Sequence, residues 1–294
     1  MLWKRVTLVG VGLLGGSLGL ALKQRRLAKS VVGFVRRAAS VGECLKGAAV
    51  DSATLDLASA VSGSDLIVLC TPIAQMRPLV EQLLPALEPG AIVTDVGSVK
   101  GRVVKDLEAI IAKAGAHFIG SHPMAGSEKT GVAAASAELF LNAVCAITPT
   151  RKSNPEAAGK IEQLWKSVGA RVLTLTPEEH DAMVSRSSHL PHVVAATLAN
   201  LVLAPEHPKE QAELCANGFR DTTRIASGSP EMWRDIAVAN RENLGSALEE
   251  FIARLQTLRQ ALKNQDDAAI AAFFNTAKQR RDFWSGRLSS RSPE

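Results

Sequence analysis

One histidine stands where a side chain could move a proton. Gly120-Ser121-His122-Pro123-Met124-Ala125-Gly126-Ser127-Glu128 follows the apolar run Ala116-His117-Phe118-Ile119, so His122 falls in the loop at a strand's carboxyl end, with proline and glycine to fix its backbone. Histidine is the side chain best suited to accept or donate a proton near neutral pH. A second polar loop, Asp95-Val96-Gly97-Ser98-Val99-Lys100-Gly101, follows the run Ala91 to Asp95, and its Ser98 suits both a substrate contact and a helix N-cap. Farther on, Gly218-Phe219-Arg220-Asp221-Thr222-Thr223-Arg224 puts Asp221 and Arg224 on one helical face, with Trp233 after them. Arginine forks carboxylates bidentately, so this cluster reads either as a small-acid site or as an intrahelical ion pair. Ser187-Ser188-His189-Leu190-Pro191-His192 spaces two histidines at i and i+3. No Asp, Glu or Cys stands at ligand spacing beside them, so substrate contact or helix packing is expected there rather than a metal.

These loops need a scaffold, and the first twenty residues announce it. The apolar run Val6 to Val9 leads into Gly10-Val11-Gly12-Leu13-Leu14-Gly15 and then a helical pattern. In a dinucleotide-binding turn the first glycine permits the tight bend and the second lets a pyrophosphate approach the backbone. The third lets helix and strand pack closely, and the helix N-terminus faces the phosphates. The second strand, Val31 to Val35, ends where an acidic residue normally accepts hydrogen bonds from the ribose 2′-hydroxyl of NAD. Here Val35 is followed by Arg36 and Arg37, which favours NADP over NAD, because guanidinium groups grip a 2′-phosphate. Thr71 and Pro72, after the strand Asp65 to Cys70, are expected along the ribose and phosphates, and Asp95 beside the nicotinamide. With a hydride acceptor bound there, His122 would take the hydroxyl proton as hydride leaves an alcohol carbon.

Alternating short strands and amphipathic helices up to residue 176 argue for an α/β fold: a Rossmann-type doubly wound parallel sheet over 1–176. From Pro177 the strand signal vanishes, and an all-helical substrate and dimerisation domain is expected over 177–294, starting at Thr176-Pro177-Glu178-Glu179. Its helices, read as roughly 178–203, 208–228, 230–263 and 265–287, carry apolar faces wider than a small bundle covers, so a homodimer is expected. The net charge of +5 comes from 34 basic and 29 acidic residues that are interspersed, which argues against nucleic acid and suits a small anionic substrate. Cys44, Cys70, Cys145 and Cys215 lie far apart, as in a reduced cytoplasmic protein without a zinc site or disulfide framework. No apolar stretch reaches the length of a membrane span, and the first strand begins too early for a signal peptide.

Taken together, GVGLLGGSLGLAL from Gly10, DVGSVKG from Asp95, GSHPMAGSEKTG from Gly120, SHLPH from Ser188, GFRDTTRIA from Gly218 and MWRD from Met232 resemble the prephenate and arogenate dehydrogenases. This is the TyrA family of tyrosine biosynthesis, and the resemblance covers nearly the whole chain. It implies oxidative decarboxylation of arogenate to tyrosine, of prephenate to 4-hydroxyphenylpyruvate, or of both. It further implies that His122 takes the proton of the substrate's 4-hydroxyl with help from Ser98. Arg224 would grip a substrate carboxylate and His192 would face the substrate, in a pocket that includes Ser127 and Trp233. Glu128 and Asp181 would belong to an ionic network near the mouth of the site. The helical domain would form the dimer. Asp221, one turn from Arg224, is the carboxylate placed to pair with the ammonium of arogenate, which favours arogenate over prephenate. Where relatives carry two glycines before Gly-Phe's aromatic, this chain has Asn217-Gly218, a position associated with tyrosine inhibition. Two alternatives stay open: another NADP-linked hydroxyacid dehydrogenase with a helical second domain, or an NADP(H)-sensing protein without turnover. Ser98, His122 and Arg224 count against the sensor.

Overall fold

The computed structural model describes residues 1–126 and 129–289. Eight strands form one sheet: β1 (Trp3–Val9), β2 (Ala28–Phe34), β3 (Ser52–Thr54), β4 (Leu66–Leu69), β5 (Ile92–Asp95), β6 (His117–Pro123), β7 (Val144–Thr148) and β8 (Arg171–Thr174). Their order is β3-β2-β1-β4-β5-β6-β7-β8. Pairing is parallel as far as β6, β7 runs antiparallel to β6, and β8 is parallel to β7. The expected doubly wound sheet is therefore present, with two differences from the sequence reading. β3, three residues long, is too short to leave a periodic signal. The reversal at β7 arises in the connection 124–143, whose described part holds only the 3₁₀ turn Val132–Ala134 and no crossover helix.

Helices α1 (Leu13–Gln24), α2 (Ala38–Lys46), α3 (Leu57–Val61), α4 (Ile73–Leu83), α5 (Gly101–Lys113) and α6 (Pro155–Ser167) cover the two faces. Side chains of a strand alternate between faces, and β4 shows the consequence. Leu66 and Val68 join the core with Leu18 and Leu22 of α1 and Trp165 of α6. Ile67 and Leu69 join the opposite core with Val80 of α4 and Leu107 of α5. Strands buried on both sides read as continuous apolar runs, which is why they were legible.

After the sheet come α7 (Pro177–Val184), α8 (Leu190–Val202), α9 (Glu210–Glu213), α10 (Asn217–Thr223), α11 (Pro230–Ala239), α12 (Arg241–Lys263) and α13 (Asp267–Ser289). Thr176 and Glu179 close a capping box at the start of α7, as Thr-Pro-Glu-Glu implied. The long helix expected over 178–203 is interrupted by a π-helical turn at Ser185–His189. Compact units divide at Asn243, so the sheet and α7 to α11 form one unit, and Leu244–Glu294 forms the other. In that second unit Ile252, Leu255, Leu262, Phe274, Phe283 and Trp284 are exposed.

Candidate active site

The strand order reverses between β1 and β4, which opens a crevice beyond their carboxyl ends. The glycine turn lies there. Gly10 has a φ of +100°, and a Cβ on it would stand 2.9 Å from the Cys70 carbonyl oxygen in the loop after β4. A Cβ on Gly15 would collide with the Gly10 carbonyl, whereas one on Gly12 would meet nothing within 4 Å. The three glycines thus divide the roles expected of them: bend, open approach and close packing. Gly12 caps α1 without a side chain, so the first-turn N–H groups at Leu13, Leu14 and Gly15 keep their hydrogen-bonding capacity toward the open side. Thr71 adds a buried hydroxyl with no protein partner, and Pro72 caps α4 beside it. An open cradle with an orphaned buried hydroxyl fits a dinucleotide. At the end of β2, Val35 is packed into the core while Arg36 and Arg37 are exposed.

Asp95 is placed differently from expectation. It is fully buried, and its Oδ2 accepts from the Gly97 N–H (2.8 Å) and from the Lys100 ammonium, while Oδ1 accepts from the Ser121 N–H (3.1 Å). With both oxygens engaged inside the protein, its side chain holds the loop after β5 against β6 instead of standing open beside a nicotinamide. Lys100, also fully buried, donates a second bond to the Ser121 carbonyl (2.8 Å). Burial pushes its ammonium below the ordinary lysine range, and Asp95 opposes that shift.

Ser98 is half-buried in this loop and is not the helix cap that its type suggested. The N-cap position of α5 is Lys100, and the cap is provided from α7: Asp181 accepts from the Lys100 N–H (2.7 Å) and the Gly101 N–H (2.8 Å). A carboxylate at a helix N-terminus satisfies orphan donors and opposes the dipole's positive end. Asp181, expected at the mouth of the site, is buried. Its Oδ1 also meets His180 Nδ1 at 2.8 Å, and His180 Nε2 meets His122 Nδ1 at 2.9 Å.

His122 is buried, and that burial, reinforced by neighbouring His180, Lys100 and His189, holds its pKa well below 6.5. It is therefore neutral at physiological pH, as a proton acceptor must be. His189 is also buried and drops to about 4, chiefly through burial, with Asp181 opposing the shift. Asn240 Nδ2 donates to the Asp181 carbonyl (2.9 Å) and lies 3.2 Å from His189 Nδ1. An amide donor makes that Nδ1 the acceptor, so the His189 proton sits on Nε2, where the Ser98 main chain is the available partner. The rings of His189 and His192 both meet Trp233, His192 stacked at 3.6 Å and His189 edge-on at 6.2 Å. The i and i+3 pair thus converges on one tryptophan across the end of a π turn, a feature frequent at functional sites.

Asp221 and Arg224 lie three residues apart where α10 passes into the 3₁₀ turn that Arg224 opens, and Arg224 itself keeps helical dihedral angles. Both are exposed, and Asp221 lies 3.9 Å from the Arg220 guanidinium. Ser127 and Glu128 lie outside the described residues. Sequence reading missed Lys100, His180 and Asn240, and passed over His189 in favour of His192. Only the adjacency of His180 to Asp181 offered a signal.

Residues 18–174 match the family model "Prephenate dehydrogenase, nucleotide-binding domain", and residues 176–276 match "Prephenate dehydrogenase, dimerization domain". The chain is 36% identical over 279 residues to the prephenate dehydrogenase of Bacillus subtilis (strain 168), covering 94% of this chain and 75% of that one. The crystal structure of prephenate dehydrogenase from A. aeolicus in complex with hydroxyphenyl propionate and NAD+ superposes with a TM-score of 0.88. It is 31% identical and covers 95% of this chain and 98% of its own. The Synechocystis arogenate dehydrogenase structure gives a TM-score of 0.81 at 32% identity, with 95% and 99% covered. On the evidence of sequence, fold and the arrangement around His122, the chain belongs to the prephenate dehydrogenase family.

Proposed function

We propose that the protein catalyses the NADP-dependent oxidative decarboxylation of prephenate, arogenate or both, with His122 as the proton acceptor. The observation that supports this best is a buried, neutral histidine at the carboxyl end of β6, in the same compact unit as the open glycine turn. A bound nicotinamide supplies the hydride acceptor. The C4–H bond of the cyclohexadienol breaks with its electron pair, and His122 takes the 4-hydroxyl proton. The bond to the ring carboxylate breaks to release carbon dioxide, its electrons complete the aromatic ring, and His122 returns the proton to the phenolate oxygen. Aromatisation makes the step effectively irreversible.

Around this centre Ser98 assists at the hydroxyl, and His192 with Trp233 forms one wall of the substrate pocket. His189, neutral and next to the Ser98 main chain, backs that wall, and Arg224 is the carboxylate anchor. Arg36 and Arg37 support NADP, because both are exposed at the end of β2 where no carboxylate opposes a 2′-phosphate. Asp221 is the group that would favour arogenate, but its proximity to Arg220 weakens that support relative to the support for the reaction. Homodimerisation through the helical part follows from the exposed apolar side chains of α12 and α13 and from the second family model. Initial rates of reduced-cofactor formation with NADP or NAD against prephenate or arogenate test the reading. Turnover with NADP at the higher kcat/KM is expected, and no turnover in any pairing would reject the enzyme in favour of a sensor.

A further inference from the structure

We propose that His180 is a positioning residue which, oriented by Asp181, holds His122 in the tautomer whose lone pair is on Nε2. The inference rests on the reading of His122 as proton acceptor. Its basis is a chain of contacts that leaves each proton one place to be. The Asp181 carboxylate is tied to the first turn of α5 through the N–H groups of Lys100 and Gly101, so it acts there as an acceptor only. The 2.8 Å contact to His180 Nδ1 then requires the proton on that nitrogen. A neutral His180 is left with Nε2 as its acceptor, so the 2.9 Å contact with His122 requires the His122 proton on Nδ1. Nε2 of His122 is the remaining lone pair. The two rings meet at 70° with centroids 5.1 Å apart, a separation that suits an in-plane N–H to N bond.

The consequence is chemical. A neutral imidazole protonated on Nε2 cannot accept a proton there, so any population of that tautomer is inactive. The relay runs from the backbone of α5 through Asp181 and His180 to His122, and all three side chains are buried. His122 then needs no reorientation when the hydroxyl proton arrives. Among the described residues, the charged or titratable groups beside His122 are His180 from α7, backed by Asp181, Lys100 from the start of α5, His189 from the π turn and Cys145 from β7.

The test uses full-length protein labelled with ¹⁵N-histidine, with His122 assigned by comparison with His122→Gln. Long-range ¹H–¹⁵N correlation at pH 7.5 should show wild-type His122 protonated on Nδ1 and bare on Nε2. His180→Phe keeps a ring but removes the acceptor, and should shift His122 toward the Nε2–H form. It should lower kcat roughly 10- to 100-fold, the range for outer partners of a reacting group, with KM for prephenate held within about twofold. His180→Gln, which restores an acceptor oxygen, should recover the tautomer and most of kcat. Wild-type His122 protonated on Nε2 would overturn the proposal, as would a His180→Phe protein that keeps both tautomer and kcat. The wild-type spectrum needs no variant, so a misfolded substitution leaves the claim testable. If the tautomer is as stated but His122→Gln retains full kcat, the proton-acceptor reading fails while the relay stands.

Discussion

Around His122 the polar side chains are buried and tied to one another or to the main chain, whereas Arg36, Arg37, Asp221 and Arg224 stand exposed. His180, Asp181, Asn240, Asp95 and Lys100 each make at least one hydrogen bond of 2.9 Å or less. Among the exposed groups, Arg220 approaches Asp221 only to 3.9 Å. An exposed ion pair of this kind is worth at most about 1 kcal/mol. The contrast separates two tasks. With His122 as the proposed proton acceptor, its surroundings are fixed in advance, so that little reorganisation is needed as charge moves. On the proposed reading, the choice of cofactor phosphate and substrate side chain falls to solvent-facing groups that can change without disturbing the fold.

The largest effect that could break this comparison is at the buried end. His122→Asn should lower kcat by roughly 10²- to 10⁴-fold, the usual worth of a positioned acid or base, while KM moves only a few-fold. A kcat within threefold of wild type, measured at saturating prephenate and NADP, would remove His122 from the chemistry.

The glycine turn sharpens the same division within one loop. Gly15→Ala drives a methyl into the Gly10 carbonyl and should destabilise the fold by about 1–3 kcal/mol, seen as a lower denaturant midpoint. Gly12→Ala enters open space and should leave that midpoint unchanged while weakening cofactor binding. Equal destabilisation by both substitutions would contradict the assigned roles.

At the exposed end, replacing Arg36 and Arg37 together by alanine should raise KM for NADP by about tenfold or more, because hydrogen bonds to charged groups contribute about 1.5–3 kcal/mol. KM for NAD should hardly change. A parallel rise for both cofactors would show that the arginines act on something other than the 2′-phosphate.

A further effect is on stability. His122, His189 and His192 are all held below 6.5 in the folded chain by burial, so the unfolded chain binds more protons as pH falls. Their stabilising contribution is complete above pH 6.5 and declines through the folded value of about 4 for His189. Each such histidine adds a slope of about 1.4 kcal/mol per pH unit inside its window. Urea unfolding at pH 7.5, 6 and 5 should show this decline, and a flat profile would mean that these rings are not buried as described.

What the sequence disclosed follows from the range of the forces involved. The glycine turn was legible because bend, approach and packing are demands on three nearby backbone positions. His122 was legible by its type and its place near the ligand edge, although it lies within the last residues of β6, paired with Ala146 of β7, and not in the loop expected there. The relay was not: His122 and His180 are 58 residues apart, and Asp181 reaches α5 across 80. Ser98 was read as the α5 cap on local preference alone, and a tertiary carboxylate took that role. Asp95 looked available at a strand end, but the buried ammonium of Lys100 claims it. The π turn at Ser185–His189 adds a local change of pitch that apolar periodicity does not register. Residue types flagged the chemistry, and long-range packing decided which atoms are free to perform it.

The most direct measurement is the pH dependence of kcat/KM for prephenate with saturating NADP, in wild type and in His122→Asn. We expect a plateau extending below pH 6.5 before the acid limb, and the loss of that limb in the variant's residual activity. An acid limb at or above pH 6.5, or one unchanged in the variant, would contradict a buried, neutral His122 as the proton acceptor.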